Sequence, residues 1–233
     1  MQSFFQNIKL PINEKLYLKD PQSSEIGNKI LNDSIELINE IGFEKFTFKK
    51  LALKISTTEA SIYRYFESKH KLLLYLINWY WSCIATRLLF ETSNISDPVL
   101  RLKKAIHILT AIPNPQAEQI LANEIFLKEI IINEAWKAFL TKEIDSENND
   151  GVFSVYKSVV NNVAQMIQTI NPDYPYPNML VTTVIEGSNQ QRFFGQHLPK
   201  LTNLSANTDI VEQFYQDMIF KAIQHDQSIN FGF

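Results

Sequence analysis

The sequence predicts an all-α fold. Its 233 residues contain only six glycines, and apolar residues recur at helical spacing rather than in the sustained alternation of strands. The segments with this period are separated by polar or proline-rich stretches at 113–115, 143–151, 171–178 and 198–207. A chain of this length buries a substantial core without disulfides. The single Cys83 lies in the apolar stretch 76–89 and is therefore expected to be a buried structural thiol in a reducing compartment.

The first predicted helix covers residues 25–41, and Gly42 follows it where a left-handed C-cap belongs. Its apolar stripe consists of Ile30, Leu31, Ser34, Leu37, Ile38 and Ile41. The preceding arm, residues 1–24, contains Pro11 and Pro21 and has no strong period, so it is expected to be extended or partly helical.

Two short helices, at about 47–55 and 59–66, are predicted next, and a longer helix starts after Ser68. Thr47, Thr58 and Ser68 each stand where a hydroxyl can cap the first amides of a helix. Two short helices joined by a tight turn form the smallest unit that presents one helix to the major groove of DNA. The expected core of this unit contains Leu51, Ala52, Ile55, Ile62 and Phe66, packed against Ile38 and Ile41.

Charge is distributed unevenly along the chain. Between residues 45 and 71, seven basic side chains oppose Glu59 and Glu67, a balance of +5, whereas the whole chain carries −3 and the rest therefore −8. A basic segment attached to an acidic body is typical of a phosphate-binding domain, although a solvated helix face has the same pattern. The seven are Lys45, Lys49, Lys50, Lys54, Arg64, Lys69 and Lys71.

The runs 47–52 and 58–73 resemble the TetR family of bacterial regulators. The most specific element is Tyr63-Arg64-Tyr65-Phe66 followed by Ser68-Lys69 and by Leu72-Leu73, and Gly42-Phe43 also matches. Two positions depart from the usual pattern, because Ser56 and Ala60 stand where many members have glycine. Ser56 must then adopt a left-handed or nearby turn conformation at some cost. The resemblance implies phosphate contacts from Thr47, Tyr63, Tyr65 and Lys69, and base or groove contacts from Thr58, Glu59, Ala60 and Ser61.

Packing between helices remains an alternative role for Tyr63 and Tyr65. The resemblance also implies a body, residues 72–233, that binds a ligand and dimerises, beside a DNA-binding domain at 25–71. Further helices are predicted at about 97–111, 116–142, 152–170, 178–197 and 208–226. Candidate pocket residues are the large apolar side chains Trp79, Phe90, Phe126, Trp136, Phe139, Tyr156 and Met166. Candidate interface residues on the last two helices are Val181, Val184, Ile185, Gly187, Phe214 and Met218. For each of these, packing within the protomer is the competing interpretation.

The expected function is that of a homodimeric regulator, a repressor by family resemblance, which binds palindromic double-stranded operator DNA and is released by a small, largely apolar effector. A dimeric ligand- or partner-binding protein of the same fold, with weak or no DNA binding, is the alternative that the overall acidity and Glu59 favour. An enzyme is not expected, because the four histidines are scattered and no metal-binding pair or phosphate loop is present. No cofactor or metal is therefore expected. Without a signal peptide or a membrane-spanning apolar run, the predicted location is the cytoplasm, with no membrane partner.

Overall fold

A computed structural model describes residues 10, 12–112, 124–204 and 209–224. Within these ranges the regular secondary structure is helical throughout, with no strand, which confirms the all-α prediction. The α-helices are α1 Glu25–Ile41, α2 Phe48–Lys54, α3 Glu59–Tyr63, α4 Lys69–Thr92, α5 Pro98–Thr110, α6 Glu124–Phe139, α7 Ile144–Asn149, α8 Ser154–Ile170, α9 Pro177–His197 and α10 Val211–Ile223.

Packing divides the chain into two compact units. The first unit comprises Met1–Ala85 and Ile112–Lys157, and the second comprises Thr86–Ala111 and Ser158–Phe233. This grouping follows contacts rather than sequence order, because each unit is assembled from two separate stretches of chain. The division by function at residues 24 and 71 therefore remains a prediction.

Hydroxyl caps fix the helix starts in the first unit, as the sequence predicts. The side chains of Thr47 and Thr58 accept the N–H groups of Lys50 and Ser61, and the Ser68 hydroxyl accepts the N–H of Lys71. Gly42 ends α1 with a φ of 76° and donates its N–H to the carbonyl of Ile38. Helix α3 ends at Tyr63, before the predicted end at residue 66, because a turn follows in which Phe66 N–H still bonds to the Ile62 carbonyl.

The predicted three-helix core forms. Leu51, Ile62 and Phe66 are fully buried, and Ala52, Ile55 and Ile38 are nearly so. Ile41 is only partly buried, since it lies in the last turn of α1. Burial of this apolar face holds α1, α2 and α3 together and leaves the opposite side of α3 free.

The described part of the arm packs against the first unit. It forms two short 3-10 turns, Glu14–Leu16 and Pro21–Ser23, and buries Leu16 and Pro21. The Leu18 N–H donates to the Tyr65 carbonyl at 2.8 Å. Close approach is possible because Gly27 has no side chain: a Cβ there would lie 2.2 Å from the Pro21 carbonyl oxygen.

Two features differ from the sequence expectations. The acidic stretch 143–151, predicted as a separator, contains the short helix α7, in which Glu147 is buried.

Helix α4 is long and apolar enough to span a membrane by length and composition, although no such segment was expected from the sequence. Of its most apolar window, 78% is buried within the protein, and Cys83 is buried there too. The predicted helix at 116–142 is seen as α6 only from Glu124, since 113–123 lie outside the described residues.

Candidate nucleic-acid interface

A strained turn sets the angle between α2 and α3. Ser56 has a φ of 56°, the left-handed conformation expected from the sequence, and Thr57 N–H closes the turn on the Ala52 carbonyl at 2.9 Å. A side chain in this region costs about 1–2 kcal/mol relative to the right-handed one. The turn persists because Ile55 before it and Ile62 after it are both buried.

The outward face of α3 carries the four predicted base-contacting residues. Thr58, Glu59 and Ala60 are exposed, and Ser61 is partly exposed. The Thr58 hydroxyl accepts the Ser61 N–H at 3.2 Å and lies 3.0 Å from the Ser61 hydroxyl. Small side chains and two paired hydroxyls therefore form an open surface, with Glu59 as its one carboxylate.

Tyr63 combines packing with exposure. Its ring meets the edge of Phe48 at 5.0 Å between centroids, yet the residue is 49% exposed. The contact restrains the ring while leaving the residue half in solvent, so that a hydroxyl donor stands beside the α3 face. Thr47 is also exposed, although its hydroxyl already accepts the Lys50 N–H.

Tyr65 lies in the interior, unlike the other predicted contacts on this segment. It is 3% exposed, and its hydroxyl lies 2.8 Å from that of Ser24, the N-cap of α1. The Ser24 hydrogen bond lowers the pKa of Tyr65, against the effect of burial, and Lys19 and Arg64 add to the lowering. The structure thus places Tyr65 in the packing role that was the alternative.

The Lys69 ammonium group is engaged by the protein itself. It donates to the carbonyls of Phe43, Glu44 and Phe46 at 3.1, 3.4 and 3.3 Å. It also lies 4.7 Å from the centroid of the Phe43 ring. Lys69 therefore stabilises the loop between α1 and α2 from the first turn of α4, a geometry that differs from the predicted phosphate contact.

Several basic side chains of residues 45–71 are bound by other groups of the protein. Lys50 donates to the Lys45 carbonyl at 2.9 Å, Lys54 pairs with Glu36 at 3.1 Å and Lys71 pairs with Glu147 at 3.2 Å. Within the described part of the chain, the side chains of the other exposed cations form no salt bridge or hydrogen bond. These are Lys45, Lys49 and Arg64.

Sequence reasoning missed Lys19. Its ammonium group lies 5.1 Å from the centroid of the Tyr65 ring, and the residue is exposed. The arm brings this cation beside Tyr65, two residues after the end of α3. Only the packing of the arm reveals it, because the arm has no periodic pattern that would have placed it.

Two buried carboxylates attach α6 and α7 to this segment. Glu134 of α6 accepts the Phe43 N–H at 3.0 Å, and its second oxygen lies 2.7 Å from the Lys137 ammonium. Burial lowers the pKa of Lys137, but its hydrogen bond to Glu134 and the charges of Glu134 and Glu44 raise it above the ordinary value. Glu147 of α7 lies 3.0 Å from the ring nitrogen Nε2 of His70.

The predicted pocket residues do not converge on one described cavity. Phe139 and Tyr156 stack with their ring centroids 6.4 Å apart, and Tyr156 stacks on Trp81 at 4.4 Å. Trp136 joins this aromatic cluster through Phe139, and Trp79 instead meets Tyr75 on its own helix. Phe126 and Phe90 are about half exposed, and Phe90 belongs to the second unit. Met166, in the second unit, lines a cavity of about 270 Å³.

The predicted interface residues fall into two groups, one buried within the protomer and one exposed on its surface. Val181, Val184 and Ile185 are buried within the protomer, because α9 packs against α5 and α10. Gly187 faces Tyr215, whose hydroxyl would lie 2.3 Å from an added Cβ. Phe214 is 54% exposed and Met218 partly exposed. Phe214 also lines a cavity of about 310 Å³ together with Leu201 and Ile210.

The similarity to a known family lies in the α1–α4 segment. Residues 30–76 match the family model described as "Bacterial regulatory proteins, tetR family". Over this segment the chain is similar to the TetR family. The matched range contains α2, α3 and the turn at Ser56, so the family match covers the candidate interface itself. No curated protein matches the sequence at a significant level.

Several solved structures share the fold of this chain over most of their length. AibR, in a complex with isovaleryl coenzyme A and operator DNA, aligns with a TM-score of 0.53 and 17% identity, covering 83% of this chain and 96% of AibR. The TetR family regulator PfmR from Thermus thermophilus aligns at 0.51 with 14% identity, covering 83% and 96%. The superantigen PfiT aligns at 0.56 with 16% identity, covering 87% and 97%. At these identities the likeness concerns the fold alone.

Proposed function

We propose that this protein is a homodimeric transcriptional repressor that binds operator DNA through α3 and is released by a small molecule. The observation that carries the proposal is the open face of α3, bordered by exposed cations that have no partner among the described residues. Major-groove readout needs a helix whose base-facing side chains are small, with phosphate-binding groups at its edges. The protein then acts in the cytoplasm.

The roles of individual residues follow from their placement. Ala60 and Ser61 face base edges, with Thr58 and Glu59 beside them, and Glu59 accepts from a cytosine amine. Thr47, Tyr63 and the free cations Lys49 and Arg64 contact phosphates. Tyr65 and Lys69 act as positioning residues, because their polar atoms are already bound inside the protein.

Salt-dependent binding tests this assignment. A duplex selected from a random library by the purified protein should lose affinity steeply with salt, with a slope that falls by about 0.9 for each phosphate contact removed. Lys49→Ala and Arg64→Ala should each reduce the slope by that amount. Lys54→Ala is the matched control, since Lys54 is paired with Glu36. Failure to select any duplex would overturn the proposal.

Dimerisation is required because two recognition helices must meet the groove one helical turn, about 34–36 Å, apart. We place the interface on the exposed apolar side chains of α9 and α10, which include Met179, Phe214 and Met218, rather than on the valines that the protomer buries. Phe214→Glu should yield monomers in light scattering. Gln213→Glu, at the neighbouring exposed position, should leave the dimer intact; monomers of both variants, or of neither, would contradict this interface.

Effector release requires that the ligand prefer one arrangement of the dimer over the other. Glu134 and Glu147 are the polar attachments through which α6 and α7 hold the helix-turn-helix segment in the first unit. Their loss should therefore weaken the effector response. Equal effector response in Glu147→Gln and in the parent would argue against this route.

A ligand- or partner-binding protein without operator binding is the second candidate. Exposed Glu59 and the internal engagement of four of the seven cations favour it. The fold likeness to a superantigen also shows that this architecture is not restricted to regulators. Affinity for DNA that does not change with salt or with Arg64→Ala would favour this candidate.

A further inference from the structure

A groove in the second unit lies between the start of α5 and the C-terminal half of α8. It encloses about 270 Å³, and Met166 is its buried apolar floor. Its lining residues are Ser96, Pro98, Arg101, Asn162, Gln165, Met166 and Thr169. Apart from Met166 these side chains are exposed, so a solute reaches the groove without displacing part of the chain.

The basic residues of α5 differ in how they are compensated. Lys104 pairs with Glu91 at 2.7 Å, and His107 lies 2.8 Å from Glu212. Lys103 lies over the ring of Phe220. Arg101, the basic residue of this helix that faces the groove, forms no ion pair, side-chain hydrogen bond or ring contact with any described residue.

The polar character of the groove is cationic. Arg101 is its charged lining residue, and none of the described residues that line it is a carboxylate. The nearest acid in the sequence, Asp97, is occupied as the N-cap of α5, where it accepts the N–H groups of Val99 and Leu100. Ser96, Asn162 and Gln165 add hydroxyl and amide donors that make no side-chain hydrogen bond to described residues.

We propose that this groove binds a small monocarboxylic acid. Arg101 holds the carboxylate through two parallel N–H donors, the geometry in which guanidinium groups bind carboxylates best. The Asn162 and Gln165 amides donate to its remaining lone pairs, and the apolar body lies on Met166. A volume of about 270 Å³ is slightly below the usual range for drug-sized ligands, so the acid has about the size of benzoate.

This proposal specifies the chemical class of the effector in the proposed function. It depends on that function only for the effect of the acid on DNA binding. It also revises the expectation of a largely apolar effector. Binding to the groove is measurable without DNA, which keeps the two questions separate.

The methyl group of Met166 reports on the groove directly. The full chain contains four methionines, so methyl NMR of ¹³C-methionine protein resolves the Met166 signal, assigned by Met166→Leu. Benzoate should shift this signal with saturation at millimolar concentration or below, and neutral benzamide should bind at least about tenfold more weakly.

Arg101→Gln and Lys103→Gln form the matched pair of variants, because both remove one cation from α5. Arg101→Gln should weaken benzoate binding about tenfold or more, and Lys103→Gln should bind like the parent. The site is overturned if the Met166 signal does not move, if benzamide binds as well as benzoate, or if both variants bind like the parent.

The effect on DNA is tested separately. Benzoate should lower operator affinity of the parent and leave that of Arg101→Gln unchanged. Benzoate binding with unchanged operator affinity overturns the effector assignment. A protein that selects no duplex at all but still binds benzoate through Arg101 overturns the proposed function and supports the groove.

Discussion

The carboxylate of Glu134 on α6 accepts the main-chain N–H of Phe43, at 3.0 Å, in the loop that joins α1 to α2. Lys69 binds three carbonyl oxygens of residues 43–46. Helix α6 therefore binds an N–H group of the loop backbone, and helix α4 binds its carbonyl groups. Because this loop leads directly into α2, its position fixes where the recognition surface begins.

Removal of the Glu134 acceptor should destabilise the protein. Glu134→Ala leaves the buried Phe43 N–H without an acceptor and the Lys137 ammonium with only Glu44, at 3.4 Å, and should lower the free energy of unfolding by about 1–3 kcal/mol. Glu134→Gln keeps an acceptor oxygen and should cost less. Lys137→Gln keeps the Phe43 hydrogen bond but removes the counter-ion of a buried carboxylate, so it should cost more than a surface ion pair, about 1–3 kcal/mol. Urea unfolding measures all three, and equal losses for Ala and Gln would contradict the hydrogen bond.

Lys69→Ala distinguishes a positioning role from a phosphate contact. Since the ammonium group satisfies loop carbonyls, its removal should lower unfolding free energy by about 1–3 kcal/mol. The slope of operator affinity against salt should stay close to that of the parent, whereas Lys49→Ala should reduce it by about 0.9. A reduced slope for Lys69→Ala with unchanged stability would restore the direct contact.

Ser56→Gly should stabilise the protein by about 0.5–1 kcal/mol, because glycine adopts the left-handed turn without the strain that a side chain incurs. Part of the gain is offset by the greater freedom of glycine in the unfolded chain. Ser56→Ala serves as the control, since it keeps the Cβ and should bring no such gain. Thermal unfolding detects the difference, and a gain with alanine would show that turn strain is not the cause.

Gly187→Ala should destabilise α9 by overpacking. The new Cβ would lie 2.3 Å from the Tyr215 hydroxyl, and Tyr215 is buried with a pKa raised by that burial. A rigid aromatic neighbour makes a cost of about 1–3 kcal/mol the expected result. The same change in a Tyr215→Phe background should cost less, so a double-mutant cycle should show coupling. Additive effects would contradict the clash.

Local signals account for the helix boundaries and the exposed face of the candidate site. The caps at Thr47, Thr58 and Ser68 and the glycine after α1 place the helix boundaries, since each acts within one turn of its own position. The outward face of α3 follows from its buried Ile62. Charge counts, in contrast, overestimated the free basic surface, because pairing partners such as Glu36 and Glu147 lie far away in sequence.

The sequence by itself determined the all-helical class, the caps and the residues that α3 exposes, because these depend on neighbours within a few positions. Only the tertiary structure decided that Tyr65 and Lys69 turn inward, that Lys19 joins the surface near α3, and that Arg101 faces a groove without a counter-ion among the described residues. Those outcomes depend on which distant backbone and side-chain groups lie within reach of a polar atom, and no periodicity in the chain encodes such distances.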